Sequence, residues 1–172
     1  MKKLILLLIL GFSTNLIFSQ TELPSIKLLF DNLSEEEYIS APGISFDGNY
    51  LIFSVINDES YKFYESKKTN GRWTEPTELT DITTFFGENI YKNSPVYNYD
   101  ASKIYFEAQN GSNKDIYVSS RTSTKWTEPI LLSSKINSNK NEGDPSFSPN
   151  KNFFILCRMK MKKTEKCRKI SL

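Results

Sequence analysis

The chain has 172 residues, 38% of them hydrophobic and 13% aromatic, and a formal net charge of +2. That is enough length and apolar content for one domain with a real core. With Lys2, Lys3 and the basic last fifteen residues set aside, the body carries a net charge of −6, so no basic nucleic-acid face is present in it. The chain has no histidine, which excludes a Ser-His-Asp triad and histidine-based metal ligation.

Residues 1–19 read as a secretory leader. Lys2-Lys3 supply the charged start, Leu4 to Leu10 the apolar run, and Ser19-Gln20 the cleavage point. Gly11, Ser13, Thr14 and Asn15 interrupt the run, which falls short of the roughly 20 apolar residues of a membrane helix. No stable membrane span is expected once the leader is removed. No cysteine lies near the cut, so a lipid-anchored amino terminus is not expected. Residues 20–36 form a linker whose acidic stretch Ser34-Glu-Glu-Glu37 suits one short helical turn.

Three copies of one unit follow, at 37–87, 88–140 and 141–157. Pro42, Pro95 and Pro145 mark them, and Asp47, Asp100 and Asn150 repeat the same two intervals. A second block recurs in phase, as Trp73-Thr-Glu-Pro76 and Trp126-Thr-Glu-Pro129. Within each copy the proline opens a strand, where its missing N–H costs little. Asp47-Gly48 is the pair favoured in a tight hairpin with both central residues at positive φ, and the later copies keep the Asp or Asn but lose the Gly. Apolar strands come next, from Tyr50, Lys103 and Phe153. A third strand follows in the first two copies (Lys62–Ser66; Asp115–Ser119), and then a polar turn and the Trp block. This is about four short strands per unit, an all-β architecture of tandem antiparallel sheets. No stretch shows a sustained helical period. Residues 158–172 lack alternation and turn signals and read as a basic irregular tail.

The hairpin block resembles the PD40 repeat of TolB-like, WD40-like β-propellers, whose core runs Ser-Pro-x-Phe-Ser-Pro-Asp-Gly-Lys-x-Leu-x-Phe. Asp144-Pro-Ser-Phe-Ser-Pro-Asn-Lys-Asn-Phe-Phe-Ile155 is the nearest copy. Ser94-Pro-Val-Tyr-Asn-Tyr-Asp100 keeps Ser-Pro and Asp, and Asp115-Ile-Tyr-Val118 is similar to the family's Asp-Ile-Tyr strand. The resemblance implies four-stranded blades around an axis and an exported bacterial protein. It also implies an incomplete propeller, with two full blades and the first hairpin of a third, since closed propellers need about four to eight blades. Truncation, an open array of sheets and closure by self-association are the three ways to read that count.

No residue emerges as catalytic, cofactor-binding or metal-ligating. Trp73 and Trp126 read as packing anchors, one per blade. Asp47 and Asp100 read as turn residues that bond their own backbone. Glu75 and Glu128 read as solvated, and so does Glu35-Glu36-Glu37. The Arg158–Lys169 run reads as a solvated end. A sialidase-like propeller needs clustered arginines. Arg72 and Arg121 both read as outer-turn residues, and Arg158 and Arg168 belong to the tail. A two-carboxylate glycoside hydrolase needs two acids at one mouth, and no spacing supplies them. Two cysteines, Cys157 and Cys167, leave their pairing open. The expected function is thus a non-enzymatic binding or scaffold module of the bacterial envelope, periplasmic or extracellular, without cofactor. Its expected partner is an envelope protein or glycan. The alternatives are a remnant without independent function and, more remotely, a propeller glycosidase.

Overall fold

A computed structural model describes residues 38–150, 153–159 and 165–171. The expected leader, the linker 20–36 and its acidic turn lie outside the described residues. The chain folds into three successive antiparallel sheets. The first comprises β1 (Tyr38–Ile44), β2 (Tyr50–Ile56), β3 (Tyr61–Thr69), β4 (Arg72–Trp73) and β5 (Thr77–Glu78). A short helix, α1 (Thr80–Phe86), leads to the second sheet, which has β6 (Lys92–Tyr97), β7 (Lys103–Asn110), β8 (Asn113–Ser120) and β9 (Ile130–Leu131). The third has β10 (Asn141–Phe147), β11 (Phe153–Met159) and β12 (Glu165–Ser171). Each sheet is one blade, with neighbours in space following neighbours in sequence.

The outermost strand of a blade is short because a proline interrupts it. In blade 1, β4 and β5 both pair with β3, on either side of the buried Pro76. In blade 2 an isolated Arg121–Trp126 bridge and β9 flank the buried Pro129. Pro has no N–H to give to a ladder, so an edge strand tolerates it only as a break.

The repeated prolines correct the expected strand starts. Pro42, Pro95 and Pro145 lie inside β1, β6 and β10, directly after residues held at positive φ: Ala41 (48°), Ser94 (52°) and Asp144 (50°). The pairing register shifts across each site, between Ser40 and Gly43, Asn93 and Val96, and Gly143 and Ser146. Each inner strand therefore carries a β-bulge, which accommodates the proline and re-aims the strand. All three inner strands pack near one another, β6 between β1 and β10.

The turn chemistry also differs from expectation. Ser45 O accepts the Gly48 N–H at 2.9 Å and Asn98 O accepts the Ala101 N–H at 3.2 Å. Gly48 (φ 72°) and Ala101 (φ 55°) take the left-handed conformation, whereas Asp47 and Asp100 do not. This is a turn followed by one left-handed residue rather than a two-residue loop with both at positive φ. It survives loss of the glycine because the Asp does the work: Asp47 Oδ1 accepts Asn49 N–H at 3.1 Å, and Asp100 Oδ1 accepts Ser102 N–H at 3.0 Å. The hydroxyls of Ser45 and Ser102 also donate to these carboxylates and, with those amides, hold them below the usual Asp range.

Two further expectations are corrected. The seven-residue helix α1 was not anticipated; it is too short to show a period, and it buries only Ile82 and Thr83. The segment read as an irregular tail contains β12, which pairs with β11 over seven consecutive positions. A third strand needs backbone partners, not alternation, and Cys157 lies opposite Cys167 in that register. Cys157 is disulfide-bonded.

The core lies between blades rather than within them. Ile104, Phe106 and Ala108 of β7 pack against Ile52 and Phe63 of blade 1, with Phe63 and Phe106 edge to face at 5.1 Å. One blade on, Phe154 and Leu156 of β11 pack against Ile116 and Tyr105 of blade 2. Polar groups are buried in phase as well. Lys92 donates from Nζ to the Gly87 and Ile90 carbonyls at 2.9 and 3.2 Å. Glu142, 50 residues on, instead accepts from Ser138 N–H and Oγ at 3.1 and 2.7 Å. The same inner-strand slot thus ties down the incoming loop, with a donor in one blade and an acceptor in the next.

Two outcomes are expected. Gly48 has open space where a Cβ would go, so Gly48→Ala should cost only the left-handed strain, about 1 kcal/mol in denaturant titration. Burial lowers the Lys92 pKa to about 8, against Glu78 and Glu88, which favour its charge, and in concert with Lys62. A base with a depressed folded pKa is penalised while charged. The penalty is full below about pH 8 and fades toward the free lysine value near 10.5. The native chain should therefore gain stability over Lys92→Met as pH rises from about 7 to about 10, measured by parallel denaturation curves.

Candidate functional site

The contact between blades 1 and 2 is built around one ion pair. Arg121, just after β8, reaches back to Glu65 on β3, with Nη1 to Oε2 at 3.0 Å and Nη2 to Oε1 at 2.6 Å. Its Nε donates to the Ala101 carbonyl at 3.1 Å. The guanidinium plane lies between two aromatic rings, 4.4 Å from the centroids of both Tyr50 and Trp126. Tyr97 Oη donates to Glu65 Oε1 at 2.5 Å. Arginine suits this slot because its planar fork stacks and chelates at once. Burial, then the Glu65 carboxylate, drive the Tyr97 hydroxyl pKa well above its ordinary value.

Above this pair lies an open cleft of about 490 Å³ whose lining includes Glu65, Arg121, Tyr50 and Trp126. One wall offers the hydroxyls of Thr74, Thr77 and Thr80, and the other those of Thr122, Ser123 and Thr124. Lys67 and Lys125 bring positive charge to it, Glu78 and Asp81 negative charge. A second recess of about 380 Å³ shares Asp81, Lys125 and Trp126 with the cleft and adds Phe85, which is 47% exposed. The position of α1 creates this geometry: Asp81 in its first turn accepts the Trp126 backbone N–H at 3.0 Å and so ties the helix to blade 2.

The cleft therefore gathers three acids that the sequence did not bring together. Each is already engaged: Glu65 by Arg121 and Tyr97, Asp81 by Trp126, and Glu78 by Lys62 at 3.6 Å. Thr122 donates its hydroxyl to the Lys125 carbonyl at 2.6 Å. The arrangement offers hydrogen bonds and charges of both signs, with its acids committed to holding the blades.

A second polar cluster joins blades 2 and 3. Glu107 on β7 is 4% exposed; it accepts the Tyr91 hydroxyl and, at 3.2 Å, the backbone N–H of Asp144. Burial raises its pKa against the pull of Tyr91 and Lys114. Lys114 Nζ sits 3.5 Å from the Tyr91 ring centroid. At the bulges, Ser94 Oγ donates to Asp144 Oδ1 at 3.0 Å across the two blades. A Cβ on Gly143 would meet Glu107 Oε2 at 2.1 Å, so any larger residue there obliges this carboxylate to move.

The residues singled out in the sequence fall as follows. Trp126 is 5% exposed and belongs to the main core, and Trp73 packs on the cluster of Leu51, Phe53 and Val55. Glu75 and Glu128 are exposed. Asp47 and Asp100 serve their turns. Arg72 is exposed, as expected of a turn residue. Arg121 is not: it occupies the slot of Lys68, 53 residues earlier, and both cations sit over the tryptophan of their own blade, Lys68 at 5.6 Å. A change from Lys to Arg at a repeated slot beside a repeated Trp was the available signal. No group of three or more metal-ligating side chains occurs among the described residues.

No protein-family model matches this chain, and no curated protein sequence does. Solved structures do. A crystal structure of TolB from Acinetobacter baumannii aligns with a TM-score of 0.55 at 14% identity, over 76% of this chain and 29% of the other. A structure assigned as TolB from Agrobacterium tumefaciens aligns with a TM-score of 0.58 at 16% identity, over 84% of this chain and 48% of the other. The chain thus has a TolB-like propeller fold and spans less than half the length of either structure.

Arg121→Met should leave the Glu65 carboxylate without its partner in a half-buried interface. A loss of about 2 kcal/mol is expected in denaturant titration, discounted from the cost of breaking a fully buried pair because both side chains keep some solvent contact.

Proposed function

We propose that this chain is an exported, non-catalytic binding module of the bacterial cell envelope, and that it engages a glycan or protein segment in the cleft between its first two blades. The observation that carries this reading is the cleft itself. Six hydroxyl side chains and charges of both signs line an open recess whose acids are held by structural bonds. Such a site recognises polar ligands without presenting an acid and a nucleophile in working geometry. Export is supported by the leader-like start Lys2-Lys3 with Leu4 to Leu10, and by the disulfide at Cys157, a bond that persists in oxidising compartments.

Soluble peptidoglycan fragments, which carry both sugar and peptide, make the test. Titrated into the isotope-labelled chain, they should shift the amide resonances of Thr74–Asp81 and Thr122–Trp126. Replacing Lys125 by Glu should weaken the response several-fold while leaving the unfolding curve unchanged. Absence of any shift in these segments overturns the cleft as the site. Release of new reducing ends overturns the non-catalytic reading.

A further inference from the structure

Glu107 departs from the pattern of its slot. The same position holds Ser54 one unit earlier and Cys157 one unit later, neither of them charged in this chain. Glu107 is buried where blades 2 and 3 meet, and it forms no ion pair among the described residues. A buried carboxylate without a cation bonded to it favours its neutral form. The junction is furnished for both forms. While charged, Glu107 accepts the Tyr91 hydroxyl at Oε1 and the Asp144 N–H at Oε2. Once neutral, it carries a proton that needs an acceptor, and the Tyr91 oxygen already stands at Oε1. A tyrosine hydroxyl both donates and accepts, so it can turn to receive that proton. Its own hydrogen then needs a place. Asn93 lies opposite Glu107 in the β6–β7 register and neighbours that hydroxyl, and its Oδ1 is buried without a hydrogen-bond partner. Buried acceptors are rarely left unpaired, and this one stands where the neutral form requires it.

We propose that Glu107 is a proton switch for the junction of blades 2 and 3: uptake of a proton from water at Oε1 seats blade 3 firmly, and its release loosens that blade. On uptake the Tyr91 hydroxyl turns from Glu107 toward Asn93 Oδ1, while Oε2 keeps the Asp144 amide. On release a negative charge returns to the buried site, facing the Asp144 carboxylate that Ser94 holds in place. Lys114 on β8 offsets this repulsion in part, from its seat over the Tyr91 ring. The other charged groups of the neighbouring strands are turned elsewhere. Lys92 on β6 serves the Gly87 and Ile90 carbonyls, and Glu142 on β10 accepts from Ser138. Asp115, whose side chain leaves the face of β8 opposite to that of Lys114, accepts from Asn110. Burial raises the Glu107 carboxyl above its ordinary value of 4.5. The penalty on the folded chain is therefore absent below that value and full above the raised one, so the junction weakens as pH rises between them.

The full chain, with its disulfide oxidised, carries the experiment. Its side-chain carboxyl carbon resonances, followed through a pH titration, should show Glu107 titrating well above the exposed Glu75 and Glu128. Asn93→Ala removes the acceptor that the neutral form uses and should move the Glu107 midpoint down. In parallel, amide hydrogen exchange should report the junction itself. Protection of the β10 and β11 amides in Glu107→Gln, relative to the native chain, should grow several-fold from about pH 5 to about pH 8, while the ratio for β2 and β3 stays level. Glu107 titrating together with Glu75 and Glu128 overturns the proposal, and so does a ratio at blade 3 that does not change with pH. A midpoint unmoved in Asn93→Ala overturns the relay through Tyr91. The titration of the native chain decides the question even where Glu107→Gln does not fold.

Discussion

Everything in this fold follows from middle strands that are apolar on both faces. Leu51 to Val55 and Ile104 to Ala108 are buried on alternate sides, so no blade satisfies itself. An antiparallel sheet usually keeps one wet face. Here the second sheet is instead sandwiched between the first and the third, and much of the hydrophobic core lies in the two gaps between blades. The polar residues with structural work to do are correspondingly found at those gaps. Glu65 and Arg121 bridge the first, Glu107 and the Asp144 amide the second.

The repeat made the blades legible. Its two intervals placed the strand pairs, the Trp anchors and the Asp-centred turns, because these depend on local chemistry copied from unit to unit. What was not legible lies where the copies depart from one another or where side chains carry no signal. Among the described residues the helix α1 occurs in one connector only, and it is two turns long. Strand β12 joins through backbone bonds, and its basic residues gave no alternation to read. The bulges were hidden because Ala41, Ser94 and Asp144 share a backbone conformation but not a residue type. Glu65 and Arg121 come from different slots of different units, so no comparison of equivalent positions pairs them.

The cleft illustrates how a repeat fold gains an individual site. Its lining comes from the start of the helix that follows blade 1 and from the polar turn of blade 2. The equivalent of Glu65 one unit later is Val118, and the equivalent of Tyr50 is Lys103. Neither can hold an arginine between rings. The cation–aromatic stack and its cleft are therefore specific to one junction, although the architecture around them is general.

The fit between Glu107 and Gly143 has a consequence for how such a chain can change over time. The slot of Gly143 holds Asn93 in the second unit and Ser40 in the first. Glycine leaves in place the carboxylate that blade 2 extends toward its successor, and a larger residue obliges it to move. Genes of tandem repeats are prone to unequal crossing-over, which swaps or duplicates units in frame. A second copy of unit two inserted after itself would bring Asn93 against Glu107 and push that buried carboxylate off its bonds to Tyr91 and the Asp144 amide. The junction thus records that these units have ceased to be freely interchangeable parts, because exchanging them disturbs a buried carboxylate.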